Sequence, residues 1–307
     1  MASTISNINT ALVDERVVEA LRFALPMASL FSFDVTAEEK LQNDIIRVPI
    51  ATDPTIATKT PGTLLTAGGT LAGTNVTLSS FRGAAWDATE GNISAMTLEK
   101  YWADKAAGAA YVAVKDAVDA CLAQLTVANF PNPSSTGNAT QAIIAPADFN
   151  QSNMAALWAL GIKQIKHQDK VLMMNHTYAA TVFGNSNLGL TYAMTGENFA
   201  KTGKLSDFAG MPMLVYPDLS ITNTTLGAAV IGKAALLLGT ARPSMLMESG
   251  EGNIVDRRVI TDENTGLSVM YTMKADAGGT ITGEICLLYG VAVGQQSAIL
   301  CLSQSSN

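Results

Sequence analysis

The spacing of small and apolar residues predicts one unusually long helix in the first half of the chain. Between Leu98 and Leu125 such residues recur at steps of three and four, which is the spacing of one helix face. Thr97 is the predicted N-cap, and Phe130 with Pro131 is predicted to close the segment. The helix would be about 42 Å long at about 1.5 Å per residue. Its charged strip is narrow, so we expect other elements to cover the helix on several sides. The strip consists of Asp104, Lys105, Lys115 and Asp119.

Two further patterns precede this helix. Residues 11–25 have helical spacing ended by Pro26, and they predict a short arm that needs a partner to cover it. Ile45–Ala51 alternates and predicts a strand, and residues 76–81 predict the strand that returns.

The segment between these two strands, residues 52–75, is rich in Thr, Gly and Pro. Its charged residues are Asp53 and Lys59. Long loops are usually functional, and the low charge argues against a solvated linker. The segment therefore predicts a β-ribbon that lies on a neighbouring subunit, and the alternative is a surface hairpin.

Helices and apolar strands alternate after the long helix and predict a compact α/β domain. A turn-rich break at 132–141 is the predicted internal boundary. Asp148 is predicted to cap a helix through Leu160, with Gly161 just beyond its end. The remaining elements of this domain are a strand at 170–175, a helix at 176–183 ended by Gly184, a loop at 188–204 and buried strands at 211–216 and 228–238, with Arg242-Pro243 as the end.

The last part of the chain is predicted to consist of strands. They occupy residues 254–260, 267–275 and 281–293, and the connections at 261–266 and 276–280 are turn-like. A short strand at 298–302 and a polar tail follow.

The amino-acid composition favours some classes of function and argues against others. Hydrophobic residues make up 48% of the 307 residues and charged residues only 15%, which suggests a surface covered by other copies. The net charge of −7 argues against a reader of nucleic acid that works by neutralising phosphates. The cysteines are odd in number and lack CxxC spacing, which indicates reduced thiols in a reducing compartment. They are Cys121, Cys286 and Cys301.

Neither the N-terminus nor the longest apolar run predicts targeting to or across a membrane. The N-terminus lacks the basic and apolar regions of a signal peptide. The longest apolar run, residues 227–238, is short and contains Lys233, so we do not expect a membrane span.

The sequence predicts no catalytic, metal or cofactor site, and hence no enzyme. Residues 227–234 fit GxxxxGK, but Ala234 stands where a phosphate-binding loop needs a magnesium-binding hydroxyl. Both histidines lack a nearby cysteine or acidic cluster, and solvated or capping roles are expected for them. The two acids at the 262–263 turn are expected to be solvated. The tryptophans are interpreted as isolated packing residues. These residues are His167, His176, Asp262, Glu263, Trp86, Trp102 and Trp158.

The order of these elements resembles the major capsid proteins of tailed bacteriophages with the Hong Kong 97-like fold. The arm, the loop flanked by IIRVPIA and VTLSSF, and the long helix match that family's arm, extended loop and spine helix. KVLMMNHTYAATVFGN and FAGMPMLVYPDL are similar to strands and a helix of its axial domain. The segment from DENTGLSV to GQQSAIL resembles its closing strands.

The resemblance implies an α+β fold with an N-terminal arm, an extended loop, a peripheral domain built on the spine helix and an axial α/β domain. Its implied bounds are 1–44 for the arm and lead-in, 45–92 for the strand pair with its loop, 93–131 for the spine, 132–248 for the axial domain, 249–297 for the return strands and 298–307 for the last strand and tail.

The resemblance also implies a structural role. Copies would assemble through pentamers and hexamers into an icosahedral shell around double-stranded DNA, faced non-specifically, in a virion assembled in the host cytoplasm. Because no long segment precedes the spine as a fused scaffold, the implied partners are the chain itself, a separate scaffolding protein and a portal. The alternative is the shell protein of an encapsulin-like cellular compartment, which would enclose protein cargo instead of DNA.

Overall fold

The computed structural model describes residues 10–28, 32–51, 59–62, 71–88, 98–126, 128–130, 141–165, 169–184, 211–216, 219, 227–245, 254–275 and 280–303. In these residues helices and strands are mixed, as expected for an α+β protein. The helices are α1 Thr10–Ala28, α2 Leu98–Leu122, α3 Gln151–Gln164 and α4 His176–Gly184. The strands are β1 Ser32–Lys40, β2 Ile45–Ala51, β3 Leu71–Thr77, β4 Ser80–Ala88, β5 Gln141–Ile143, β6 Lys170–Met174, β7 Met213–Val215, β8 Ala228–Gly232, β9 Leu236–Pro243, β10 Ile254–Thr261, β11 Ser268–Ala275, β12 Ile281–Val293 and β13 Ile299–Ser303.

The chain divides into two compact units. Unit 1 contains Met1–Ser29, Phe33–Asp119 and Leu237–Ala292. Unit 2 contains Leu30–Ser32, Ala120–Leu236 and Val293–Asn307. The domain names and bounds implied by the resemblance remain predictions.

A six-stranded sheet forms the body of unit 1, with strand order β1-β9-β12-β11-β10 and β4 paired to β12. The three closing strands predicted at 254–260, 267–275 and 281–293 are confirmed as β10, β11 and β12. They form an antiparallel meander in which Met270 lies opposite Cys286. Along the first part of β12 buried and half-buried residues alternate, because successive side chains point to opposite faces of the sheet.

The long helix is confirmed as α2, although it ends at Leu122. The amides of Gln124 and Leu125 bond to carbonyls three residues back, so the chain leaves the helix in tight turns well before Phe130. The predicted closure at Phe130-Pro131 is therefore wrong. Along the predicted face of the helix, Trp102, Ala106, Ala109, Ala113 and Ala117 are buried as expected, and Leu98 and Ala120 are half-buried.

A two-stranded ribbon is formed by β2 and β3. The first strand is as predicted, but its partner is Leu71–Thr77, so the predicted segment 76–81 overlaps only the end of β3 and the first two residues of β4. The partner begins with LAGTN, whose small residues carry little strand propensity, and long-range pairing decides its structure. Val76 lies opposite Ile46, and both are buried in a cluster with residues of β9 and β12. Most of the loop predicted at 52–75, namely 52–58 and 63–70, lies outside the described residues.

The N-terminal helix α1 corrects two expectations. It continues through Pro26 to Ala28, because a proline in the last turn removes only one helical hydrogen bond. The helix also has its own cover: Val13, Val17 and Leu21 are fully buried, and α1 packs on β10 of the same chain. The strand β1 that follows was not predicted.

Unit 2 holds a five-stranded sheet in the order β5-β13-β8-β6-β7. The predicted strands at 170–175 and 211–216, the helix ended by Gly184 and the last strand near 298–302 are confirmed with small shifts at their ends. Phe149, Met154 and Tyr178 lie in one buried cluster with residues of the sheet.

Two predictions for unit 2 are wrong in detail. Asn150, not Asp148, caps α3 by accepting a hydrogen bond from the Asn153 amide, and Gly161 lies inside the helix. The strand predicted at 228–238 is two strands, because a turn follows Gly232. The predicted break at 132–140, the loop at 188–204, residues 1–9 and the tail from 304 lie outside the described residues.

Candidate functional site

The near-match to a phosphate-binding loop folds as a buried strand followed by a turn. All five residues of β8 are buried, which leaves no loop of amides to hold a phosphate. Lys233 follows in the turn and lies 3.6 Å from Asp169, with both side chains largely exposed. The structure thus agrees with the interpretation of the intervening residues as a strand.

The remaining chemical candidates are the histidines and the cysteines. His176 is the first residue of α4, as expected for a helix start, and His167 lies outside the described residues. Within the described part of the chain, no group of three or more histidines, cysteines and acids could hold a metal ion. Cys121 is a buried thiol and Cys286 is a half-buried one.

Asp262 is fully buried, which corrects the expectation of a solvated acid. Its carboxylate accepts hydrogen bonds from the Arg22 guanidinium at 2.8 and 3.0 Å and from Thr265 Oγ1 at 2.7 Å. Burial alone would raise the pKa of Asp262, but these bonds outweigh it and hold the pKa below its ordinary value. No pattern in the sequence indicated this partner, because Arg22 lies 240 residues away in the chain.

Trp86 and Trp102 were interpreted as isolated, and the structure brings them into one aromatic cluster. Their rings meet edge to face with centroids 5.3 Å apart, and Tyr271 lies 6.3 Å from Trp86. Trp102 Nε1 donates a buried 2.7 Å hydrogen bond to the Tyr271 hydroxyl. Packing is therefore the correct role for both, and Trp158 is likewise packed against the core of unit 2.

An open groove lies beside this cluster, between β4 and α2, and we call it the spine groove. Its volume is about 630 Å³. The lining is mostly small or apolar, and Val112 is 50% exposed although it belongs to a helix that is otherwise largely buried. The lining residues are Ala84, Ala85, Trp86, Tyr101, Asp104, Lys105, Gly108, Ala109 and Val112.

Gly108 marks the centre of the helical wall of the groove. It is exposed, and a Cβ built on it would meet no neighbouring atom within 4 Å. Glycine inside a helix costs about 0.8–1.0 kcal/mol relative to alanine, and no contact with the described residues explains its presence here. Close approach of another backbone would explain it.

The rim of the groove carries both signs of charge. Asp104 and Lys105 are exposed on α2, and the Lys105 ammonium lies 5.7 Å from the centre of the Tyr101 ring. The Tyr101 hydroxyl donates to the Asp87 carbonyl at 3.1 Å, which ties the helix to the end of β4. The groove therefore offers an apolar floor with one acid and one base at its edge.

Partly buried polar contacts join α2 to the sheet. The Tyr289 hydroxyl donates to Asp116 at 2.5 Å, and Arg82 of β4 lies 3.6 Å from the same carboxylate. Burial, with the hydrogen bond to Asp116, raises the pKa of Tyr289 to about 12, so the phenol remains a donor throughout the physiological range. The shape of the groove is thus set by fixed elements on both sides.

The ribbon presents a second exposed surface. Residues 59–62 near its far end are all exposed, and Gly62 has a φ of 86°, in the left-handed region that glycine adopts without strain. Lys59 is the base among them. The sequence predicted this ribbon, whereas nothing in it indicated the spine groove, which forms only when β4 and α2 come together.

The fold is similar to that of solved capsid structures. The capsid structure of the cyanophage P-SCSP1u matches with a TM-score of 0.55 and 13% identity, over 91% of this chain and 88% of that one. The capsid of an empty GTA particle matches with a TM-score of 0.55 and 15% identity, over 91% and 90%. The chain has the capsid-protein fold.

A virus-like particle from Pyrococcus furiosus matches with a TM-score of 0.52 and 12% identity, over 95% of this chain and 97% of that one. No family model matches the chain, and no curated protein matches its sequence. None of the helices in the described ranges is long and apolar enough to cross a membrane.

Proposed function

We propose that this chain is the major capsid protein of a tailed phage, which assembles through pentamers and hexamers into an icosahedral shell around double-stranded DNA. The observation that carries the proposal is the likeness of the fold to phage capsid structures over about nine-tenths of the chain. The role is structural, with no catalytic step. The virion capsid is its proposed location, and a scaffolding protein and a portal are its proposed partners during assembly in the host cytoplasm.

The proposed layout is that of the Hong Kong 97-like fold. Unit 1, with α2 as the spine and β10–β12 as return strands, would be the peripheral domain. Unit 2, with its five-stranded sheet, would be the axial domain. In this layout the ribbon of β2 and β3 is the base of the extended loop.

The ribbon and the spine groove suggest how one copy covers the next. Residues 52–75 have almost no charge, which suits the small and apolar lining of the groove. Lys59 near the end of the ribbon complements Asp104 at the rim. We place the ribbon of one copy over the spine groove of its neighbour, so that the surface left open in the single chain is buried in the shell.

Shortening the ribbon tests this placement. Because β3 begins at Leu71, residues 53–69 are replaced by a short Gly-Ser turn so that both strands keep their pairing. Subunits are expected to fold with wild-type near-UV circular dichroism but to lose assembly, as judged by sedimentation and negative-stain microscopy. Normal yields of stable shells from this variant would show that the ribbon does not join the copies.

The alternative is a compartment shell protein of the same fold. The likeness to the Pyrococcus furiosus virus-like particle fits either function. Particles purified from the native source and treated with nuclease distinguish the two, because a phage shell protects double-stranded DNA of defined length. Particles that contain protein cargo and no protected DNA would favour the compartment.

A further inference from the structure

Two ion pairs fasten α1 to its own sheet. Arg258 of β10 directs Nε and Nη2 at one carboxylate oxygen of Asp14, at 3.1 and 2.9 Å. Arg22 directs the same two atoms at one carboxylate oxygen of Asp262, which directly follows β10. Both pairs join α1 to β10 or to the residue that follows it. Asp14–Arg258 lies near the start of the contact between helix and strand, and Arg22–Asp262 lies near its end.

The spacing of the two pairs matches on both elements. Asp14 and Arg22 are eight residues apart on a helix, or about 12 Å. Arg258 and Asp262 are four residues apart on extended chain, or about 13 Å. Along the helix the acid Asp14 precedes the base Arg22, whereas on the strand side the base Arg258 precedes the acid Asp262. If the helix ran in the opposite direction, like charges would face each other. The pairs therefore fix both the direction and the register of α1.

Over Thr10–Arg22, the part of α1 whose side chains the structure describes, the buried apolar residues form a single stripe. It consists of Val13, Val17 and Leu21, at i, i+4 and i+8, and the neighbouring Glu15, Arg16 and Glu19 are exposed. The strand beneath it is the last in the order of the sheet. The charge pairs consequently provide a larger share of the attachment for α1 than for the elements inside the sheet.

The strand side of each pair is held in place without the helix. Asp256 forms an ion pair with Arg258, whose guanidinium lies 4.7 Å from the centre of the Tyr271 ring. Asp262 accepts from Thr265 Oγ1 and from the Asn264 amide. If α1 left, Arg258 would keep the Asp256 carboxylate, and Asp262 would keep two neutral hydrogen-bond donors while losing the cover of the helix.

We propose that the Asp14–Arg258 and Arg22–Asp262 pairs form a latch that holds α1 closed on β10, and that α1 opens as one unit while the rest of unit 1 stays folded. The latch decides whether the N-terminal segment is bound to its own chain or free to make contacts elsewhere. This role does not depend on the proposed capsid function, and it can be tested on unassembled chain.

Hydrogen exchange on the full chain tests the latch. In the Asp14→Asn, Arg22→Gln double variant, amides of α1 are expected to exchange at least tenfold faster, because hydrogen bonds between charged groups are lost. Amides of β11 and β12 should exchange at the wild-type rate. In the wild type, raising the salt concentration should accelerate exchange in α1 alone, since the partly exposed pairs are screened.

Arg16→Gln is the matched control. It removes one positive charge from the same helix, as Arg22→Gln does, but its partner Glu19 is on α1 itself and both side chains are exposed. Its exchange should equal that of the wild type. Unchanged exchange of α1 in the double variant would overturn the proposal. An equal acceleration across α1, β11 and β12 would overturn it as well, since the pairs would then support only the global fold.

Discussion

Different substitutions of Gly108 should change the stability of the subunit and its assembly into shells independently. Gly108→Ala adds a methyl group where no neighbour lies within 4 Å, so the single chain accepts it without strain. The expected gain is about 0.8–1.0 kcal/mol in the free energy of unfolding, from helix propensity alone. Gly108→Phe should also leave the subunit folded, but its ring would occupy the spine groove that we assign to the ribbon of a neighbouring copy.

Two measurements on the same preparations test this pair of effects. Urea denaturation of unassembled subunits should give a higher midpoint for Gly108→Ala with an unchanged slope. Sedimentation of assembly reactions should give shells for the wild type and a strong loss of shells for Gly108→Phe. Lys100→Phe is the matched control, because it places the same ring at an exposed position of α2 outside the groove lining, and it should assemble normally.

Either of two results would refute the reasoning. If Gly108→Phe assembles as efficiently as the wild type, the spine groove is not covered by another copy. If Gly108→Ala destabilises the isolated subunit, the space at this position is already used within the chain, and the glycine has an intramolecular explanation.

Two further predictions concern buried polar groups of unit 1. Trp102→Phe should lower the free energy of unfolding by about 1–3 kcal/mol in urea denaturation, because the buried Tyr271 hydroxyl loses its donor. Trp86→Phe should lower it less, since Trp86 Nε1 has no hydrogen-bond partner among the described residues. Equal losses of stability in the two variants would contradict the assigned hydrogen bond. The pKa of Asp262 is lowered in the folded state, so its stabilising contribution is complete above the ordinary pKa of about 3.9 and is lost as pH falls through the lowered folded value. The difference in Tm between the wild type and Asp262→Asn should therefore be constant near neutral pH and shrink in acid, and a difference that grows in acid would contradict the pairing with Arg22.

Local patterns in the sequence were sufficient for elements whose side chains alone determine their structure. The strand β12 has thirteen residues with strong β-branched and aromatic content, and its bounds were predicted without error. The alanine and leucine spacing of α2 predicted its start and its buried stripe. The end of α2 was missed because tight turns after Leu122 replace the helix without any proline at that point.

Features that depend on distant partners could not be predicted. The strand β3 contains Gly and Ala, and only its pairing with β2 reveals it. Asp262 looked like a turn residue open to solvent, because its partner Arg22 comes from the opposite end of the chain. The spine groove could not be predicted either, because its two walls, β4 and α2, are separate in the sequence. The exposed Val112 and Gly108 can be recognised as lining a groove only once β4 is seen to lie beside them.

Light scattering of the purified chain behind size-exclusion chromatography, with negative-stain imaging of the early fractions, tests the central claim most directly. A shell protein with this fold should elute as capsomers, shells or tubes, alone or after a scaffolding partner is added. A chain that stays monomeric under both conditions would contradict the assembly function, and the capsid-protein fold would then serve another purpose in this protein.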